Sequence, residues 1–86
     1  MPEISRFFGI VIKMFFDDHS PPHFHAYYGD DEVLIDIRAI SVFAGQFPPR
    51  ALGLVVEWAT LHQQELLDNW QRARGQQPTI KIEPLR

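Results

Sequence analysis

The stretch DDHSPPHFHAYYGDDEVLIDIR, Asp17 to Arg38, decides the fold, because two short runs rich in aromatic and β-branched residues flank Gly29-Asp30-Asp31. Two such runs around a Gly/Asp cluster predict a β-hairpin. With Asp30 and Asp31 at the centre of the turn, Tyr28 faces Val33, Tyr27 faces Leu34, Ala26 faces Ile35, His25 faces Asp36, Phe24 faces Ile37 and His23 faces Arg38. This register puts Phe24, Ala26, Tyr28, Val33, Ile35 and Ile37 on one face. His23, His25, Tyr27, Leu34, Asp36 and Arg38 share the other. A slip of one residue would mix the two sets, so the hydrophobic pattern itself argues for the faces. The apolar face needs a cover, and the polar face becomes the candidate site.

Upstream, Asp17, Asp18, Ser20, Pro21 and Pro22 form a turn cluster in which each proline biases the residue before it towards extended geometry. His19 therefore sits in a stiff loop. From Ile4 to Phe16 the chain is largely β-branched or aromatic with Gly9 inside, which predicts one bent strand or a hairpin. Downstream, Ala39 to Phe47 leaves room for one more short strand around Ile40 and Val42. Pro48 and Pro49 then precede a helical pattern from near Pro49 to about Arg74, with Gly75 as its stop. At ~100° per residue, Leu52, Val55, Val56, Ala59, Leu66, Leu67 and Trp70 form a stripe to cover the sheet. Leu54, Trp58 and Leu61 form a second set, expected either under the N-terminal strand or the segment Thr79–Ile82, or at a partner interface. The expectation is one α+β domain over residues 1–86: an antiparallel sheet of three to four strands with one long helix packed across one face.

Size and charge narrow the function. A chain of 86 residues lies below the usual domain size of roughly 100–150, so it has room for one core. The net charge of −3 and the absence of a Lys/Arg run make nucleic acid a disfavoured partner, although Arg50, Arg72, Arg74, Lys81 and Arg86 could form a local basic patch. There are no cysteines, so any metal would need His and carboxylate ligands. The opening MPEISRFF does not fit a signal peptide, and GIVIKMFF is broken by Lys13 far short of the ~20 residues needed to cross a bilayer. A cytoplasmic protein that does not enter the membrane is expected.

Three of the four histidines, His19, His23 and His25, fall within seven residues around Pro21-Pro22. Facing His25 across the expected hairpin, Asp36 would fix the imidazole tautomer and raise its basicity, while Arg38 or Lys13 would contact an anion. The candidate catalytic set is His25, Asp36 and Arg38, and the binding set is His19, His23, Tyr27 and Asp18. His19, His23 and His25 are also the candidate ligands for a divalent metal. No other cofactor is expected, since neither a dinucleotide fingerprint nor a phosphate-cradling glycine loop is present. Solvent-facing strand histidines and a turn-capping His19 are the plainer alternative.

The segments PEISRFFGIVIKMFFDDHSPPHFHAYYGDDE, PPRALGLVVEWATLHQQELLDNW and IKIEPL resemble the bacterial domain-of-unknown-function family 4160. The resemblance implies a small free-standing protein, of a kind frequently encoded beside a second small uncharacterised family with a DNA-binding flavour. That setting is comparable to toxin–antitoxin pairs, and it carries over no catalytic residue. The expected function is a binding or regulatory component of such a two-gene module, with a protein partner encoded nearby or a second copy of the chain. The alternative is a small His-dependent hydrolase, an RNase-type toxin with His25 as general base.

Overall fold

A computed structural model describes residues 3–15, 19 and 21–86. Five strands, β1 (Glu3–Phe7), β2 (Ile10–Lys13), β3 (His23–Tyr28), β4 (Asp31–Asp36) and β5 (Ser41–Gln46), precede two helices, α1 (Pro49–Leu61) and α2 (Gln63–Arg74). The strands form one antiparallel meander in the order β1-β2-β3-β4-β5. The class is α+β, with more strands than the three to four expected and two helices in place of one.

The extra strand comes from the N-terminal run, which is a hairpin and not one bent strand. Phe8 and Gly9 both adopt positive φ, 51° and 81°, the backbone of a tight two-residue turn whose twist matches that of its strands. The helix is interrupted at His62, which leaves helical geometry at φ −120° and ψ 25°. Neither Gly nor Pro marks this position, so periodicity runs straight through it. The His62 side chain instead turns to Glu65 in the first turn of α2, with Nδ1 and Oε1 2.6 Å apart.

The β3–β4 hairpin keeps the expected faces but not the expected pairs. His23 faces Asp36, Phe24 faces Ile35, His25 faces Leu34, Ala26 faces Val33 and Tyr27 faces Glu32. Every pair is displaced by two residues. The turn is Gly29-Asp30, with Gly29 at φ 58°, as a two-residue turn with glycine in its first position requires. A displacement of two preserves side-chain parity, which is why Phe24, Ala26, Val33, Ile35 and Ile37 are nonetheless all buried. Tyr28, assigned to the same face, ends at the rim and is exposed.

Ala51, Val55, Trp58 and Ala59 of α1 and Leu66, Trp70 and Ala73 of α2 pack on that face. Trp58 corrects the expected helix faces: it is fully buried and its ring lies 5.8 Å from that of Phe24. At ~100° per residue, Trp58 is only about 60° from Val55 around the helix, so it belongs to the core stripe. Leu54 is half-buried and Leu61 is exposed, so the three do not form one surface.

The C-terminal segment seals the structure beside Trp58. The Asn69 side chain accepts from the Ile80 N–H and donates to the Ile80 carbonyl, both at 2.8 Å. The Ile82 N–H donates to the Ile4 carbonyl at 2.8 Å, the Ser5 hydroxyl to the Ile82 carbonyl at 3.0 Å, and the Trp58 indole N–H to the Glu83 carbonyl at 2.9 Å. One edge of the sheet, β1, is thus covered by the chain itself. No helix is long and apolar enough among the described residues to cross a membrane.

Candidate functional site

The face of the sheet opposite the helices carries the ionisable side chains. Lys13 of β2 pairs with His25 of β3, and Tyr27 of β3 pairs with Glu32 of β4. Period-two alternation puts all four on one surface. The true register moves Asp36 away from His25, and Glu32 takes its place on the diagonal, with His25 Nδ1 and Glu32 Oε2 2.9 Å apart. The Tyr27 hydroxyl also donates to Glu32. The His25 hydrogen bond, helped by that of Tyr27 and opposed by partial burial, holds the Glu32 carboxyl below its ordinary value. Glu32 therefore keeps its charge further into acid than a free glutamate does. The Lys13 ammonium lies 5.2 Å from the centre of the Tyr27 ring, in reach of its negative face.

His25 is not an open side chain. Its ring is only 12% exposed, meets the edge of Phe15 at 4.6 Å and lies parallel to Tyr27 at 6.3 Å. His23 is more enclosed still, at 6%. Its Nδ1 is 2.8 Å from the Pro21 carbonyl, which only accepts, so Nδ1 carries the proton. The same ring packs 5.3 Å from Trp70, from Phe43 and from His25. His23 is thus a buried clasp between the proline turn, the sheet and α2 and not the solvent-facing partner of Arg38.

Asp36 is no orienter of His25, because its Oδ1 accepts the N–H groups of Arg38 and Ala39 at 2.8 and 3.0 Å. Carboxylates two or three residues before a turn commonly take its orphan donors this way. The structure therefore separates the expected catalytic set: His25 keeps a carboxylate, but that of Glu32, and Arg38 stands exposed on the turn after β4. His19 is exposed, while Asp18 lies outside the described residues. No group of three His, Asp or Glu side chains suited to hold a metal occurs among the described residues, so His19, His23 and His25 are not brought together as a ligand set.

Two features escaped the sequence reading. Glu32 was hidden by the two-residue displacement, although Gly29 as the first turn residue was the signal that would have exposed it. The second is the exposure of β5: the strand expected between Ala39 and Phe47 is present, but its six residues are all exposed and include Val42 and Phe43, at 40% and 48%. Phe43 is the unpaired residue of a bulge, because Leu34 faces Ala44 while Ile35 faces Val42.

No curated protein and no solved structure matches this chain. A family model does match, over residues 9–71, a span that holds β2 to β5, the proline turn, α1 and most of α2. By that match the chain belongs to the family described as Domain of unknown function (DUF4160).

Proposed function

We propose that this chain is the binding component of a two-protein bacterial module in the cytoplasm, and that it takes an extended segment of its partner polypeptide as an added strand against β5. The observation that carries this reading is the asymmetry of the sheet edges. β1 is covered by the chain's own C-terminal segment, whereas β5 ends the sheet with every residue exposed. Sheet edges are ordinarily protected by charge, proline or a cover, since an open edge is a template for another strand. The run Ser41–Gln46, SVFAGQ, has neither a charge nor a proline. Main-chain pairing would supply affinity, and the exposed side chains of Val42 and Phe43 would favour apolar side chains on the partner.

Co-expression of the chain with the protein encoded beside it is the test. The partner should co-purify, β5 amides should gain hydrogen-exchange protection in the complex, and the double substitution Val42→Lys with Phe43→Lys should reduce capture at least tenfold while leaving the circular dichroism spectrum unchanged. A homodimer lost in the same variant would make the second copy the partner. A monomer that captures nothing, or capture undiminished by the substitutions, would overturn the reading.

The His25–Glu32 pair favours a second reading, a small hydrolase with His25 as general base and Glu32 as its orienter. Expression of the chain alone would then slow growth, and both His25→Ala and Glu32→Gln would restore it. Unimpaired growth on expressing the unaltered chain rejects this reading.

A further inference from the structure

We propose that a slot at the turn end of the sheet receives the last residue of a partner polypeptide, with an apolar side chain inside it and the terminal carboxylate on Arg50. The β1–β2 turn, the end of β3 and the start of α1 meet there, and every residue of these segments is described. Ile10 and Ala51, both buried, form the floor, and Phe8, Tyr28, Pro48 and Leu54 form walls around about 110 Å³. That is far below the ~300–1,000 Å³ of a site that encloses a whole small molecule, and it suits one apolar side chain. Among the described residues, Arg50 is the one charged group in the lining. In the last residue of a polypeptide an apolar side chain and a carboxylate leave the same α-carbon, so a single residue matches both features of the slot.

Two residues of the slot stand where local structure disfavours them. Phe8 opens the two-residue β1–β2 turn at φ 51°, a left-handed position that suits Asn, Asp or Gly and strains a bulky aromatic. The residue is 60% exposed, so burial does little to offset that strain. Arg50 lies in the first turn of α1, which holds no acidic residue and where a helix favours an anion over a cation. Neither an ion pair nor a side-chain hydrogen bond of Arg50 occurs among the described residues. Residues that break a local rule are expected chiefly at functional sites, and here both line one slot.

The walls are held in place before any ligand arrives. The Tyr28 ring lies against Gly9, where an added β-carbon would come within 3.3 Å of it, and its centre is 6.1 Å from that of Phe47. The Phe8 ring meets Phe7 edge to face at 6.5 Å, and Phe7 in turn packs 5.3 Å from Trp58. Pro48 is extended at φ −58° and ψ 138°, and its carbonyl accepts the Leu52 N–H at 2.9 Å. Apart from the exposed Arg50 side chain, little ordering is left to binding.

No residue of β5 lines the slot, so its occupancy does not depend on strand addition, and the failure of either leaves the other standing. The probes are N-acetyl-Gly-Gly-Leu, the same peptide with a C-terminal amide, and N-acetyl-Gly-Gly-Ser, each titrated into the whole chain at constant ionic strength and followed by amide chemical shifts. The Leu acid should give saturable shifts centred on Gly9, Tyr28, Arg50 and Leu54. The amide and the Ser acid should each bind about tenfold more weakly or worse, the first by loss of the charge-assisted contact and the second by loss of the buried side chain. Arg50→Gln should weaken the Leu acid about ten- to hundredfold and leave the amide unchanged. Phe8→Asn should weaken the Leu acid about tenfold, while its urea midpoint holds or rises, because Asn suits the left-handed turn position. Equal binding of acid and amide, shifts that do not saturate, or full binding by Phe8→Asn would overturn the proposal. So would a fall in the Phe8→Asn midpoint, which would make Phe8 a residue of the fold.

Discussion

Replacing Trp58 with alanine is expected to remove about 3–5 kcal/mol of unfolding free energy, the range for deleting a large buried aromatic. The indole is fully buried, packs 5.3 Å from the ring of Phe7 and 5.8 Å from that of Phe24, and donates to the Glu83 carbonyl. Its loss would open a cavity where β1, β3, α1 and the C-terminal segment meet. A small domain holds only about 5–15 kcal/mol in all, so much of the chain's stability rests on this side chain. Trp58→Phe keeps most of the ring area and loses the N–H, and should cost about 0.5–1.5 kcal/mol. Urea unfolding followed by circular dichroism reads both, since Trp70 alone would make fluorescence hard to compare. A loss below about 1 kcal/mol for Trp58→Ala would mean that the indole is a surface residue awaiting a partner, as exposed substitutions usually stay within ±0.5 kcal/mol.

That contrast marks where the sequence was sufficient. The alternation in Phe24–Tyr28 and Val33–Ile37 fixes side-chain parity, so the buried face of the central hairpin was legible from polarity alone. Pairing was not, because displacing one strand by two residues leaves every face unchanged; only the identity of the turn distinguishes the two registers, and Gly29 with its φ of 58° selects the shorter. The helical stripe was legible at Val55, Ala59, Leu66 and Trp70, all of them buried. The error at Trp58 was one of angle, not chemistry. The break at His62 has no Gly or Pro to announce it, and it rests on local geometry and a Glu65 contact that periodicity does not see.

The site obeys the same logic. That histidines would share a sheet face with Tyr27 was readable from spacing. Which carboxylate reaches His25 depended on the register, and so Asp36 was named where Glu32 stands. His23 has the same parity as His25 but lies at the first position of β3, where the proline turn and Trp70 close over it. A residue at the end of a strand can be buried by the loop that leads into it or by a helix packed across the sheet's end, and alternation carries no information about either. The openness of β5 depends likewise on tertiary structure: SVFAGQ is an ordinary uncharged strand in sequence, and becomes an open edge only because it is last in the order of the sheet.

The second large effect is expected at Asn69, the one polar side chain of α2 that is buried. Asn69→Leu keeps the number and branching of the side-chain heavy atoms with slightly more bulk, so no cavity is opened and the change acts chiefly through the two hydrogen bonds to Ile80. Losing both, with their backbone partners left unpaired or the segment detached, should cost about 2–4 kcal/mol. Asn69→Asp should do no better at neutral pH, since a carboxylate keeps the acceptor for the Ile80 N–H but sets a second acceptor against its carbonyl. The diagnostic readout is hydrogen exchange at the Ile82 N–H, which pairs with the Ile4 carbonyl across the edge of β1. If Asn69 holds the segment, that amide should exchange far faster in both variants, while exchange at the amides of β3 and β4 quickens only in proportion to the loss of global stability. The uncovered β1 would then add a second open edge to a sheet already open at β5, so self-association should rise with concentration in Asn69→Leu and stay low in the unaltered chain. An Ile82 amide as slow as before would place the hold on the segment elsewhere, at Trp58 and Ser5, and Trp58→Ala would then be the variant that frees it.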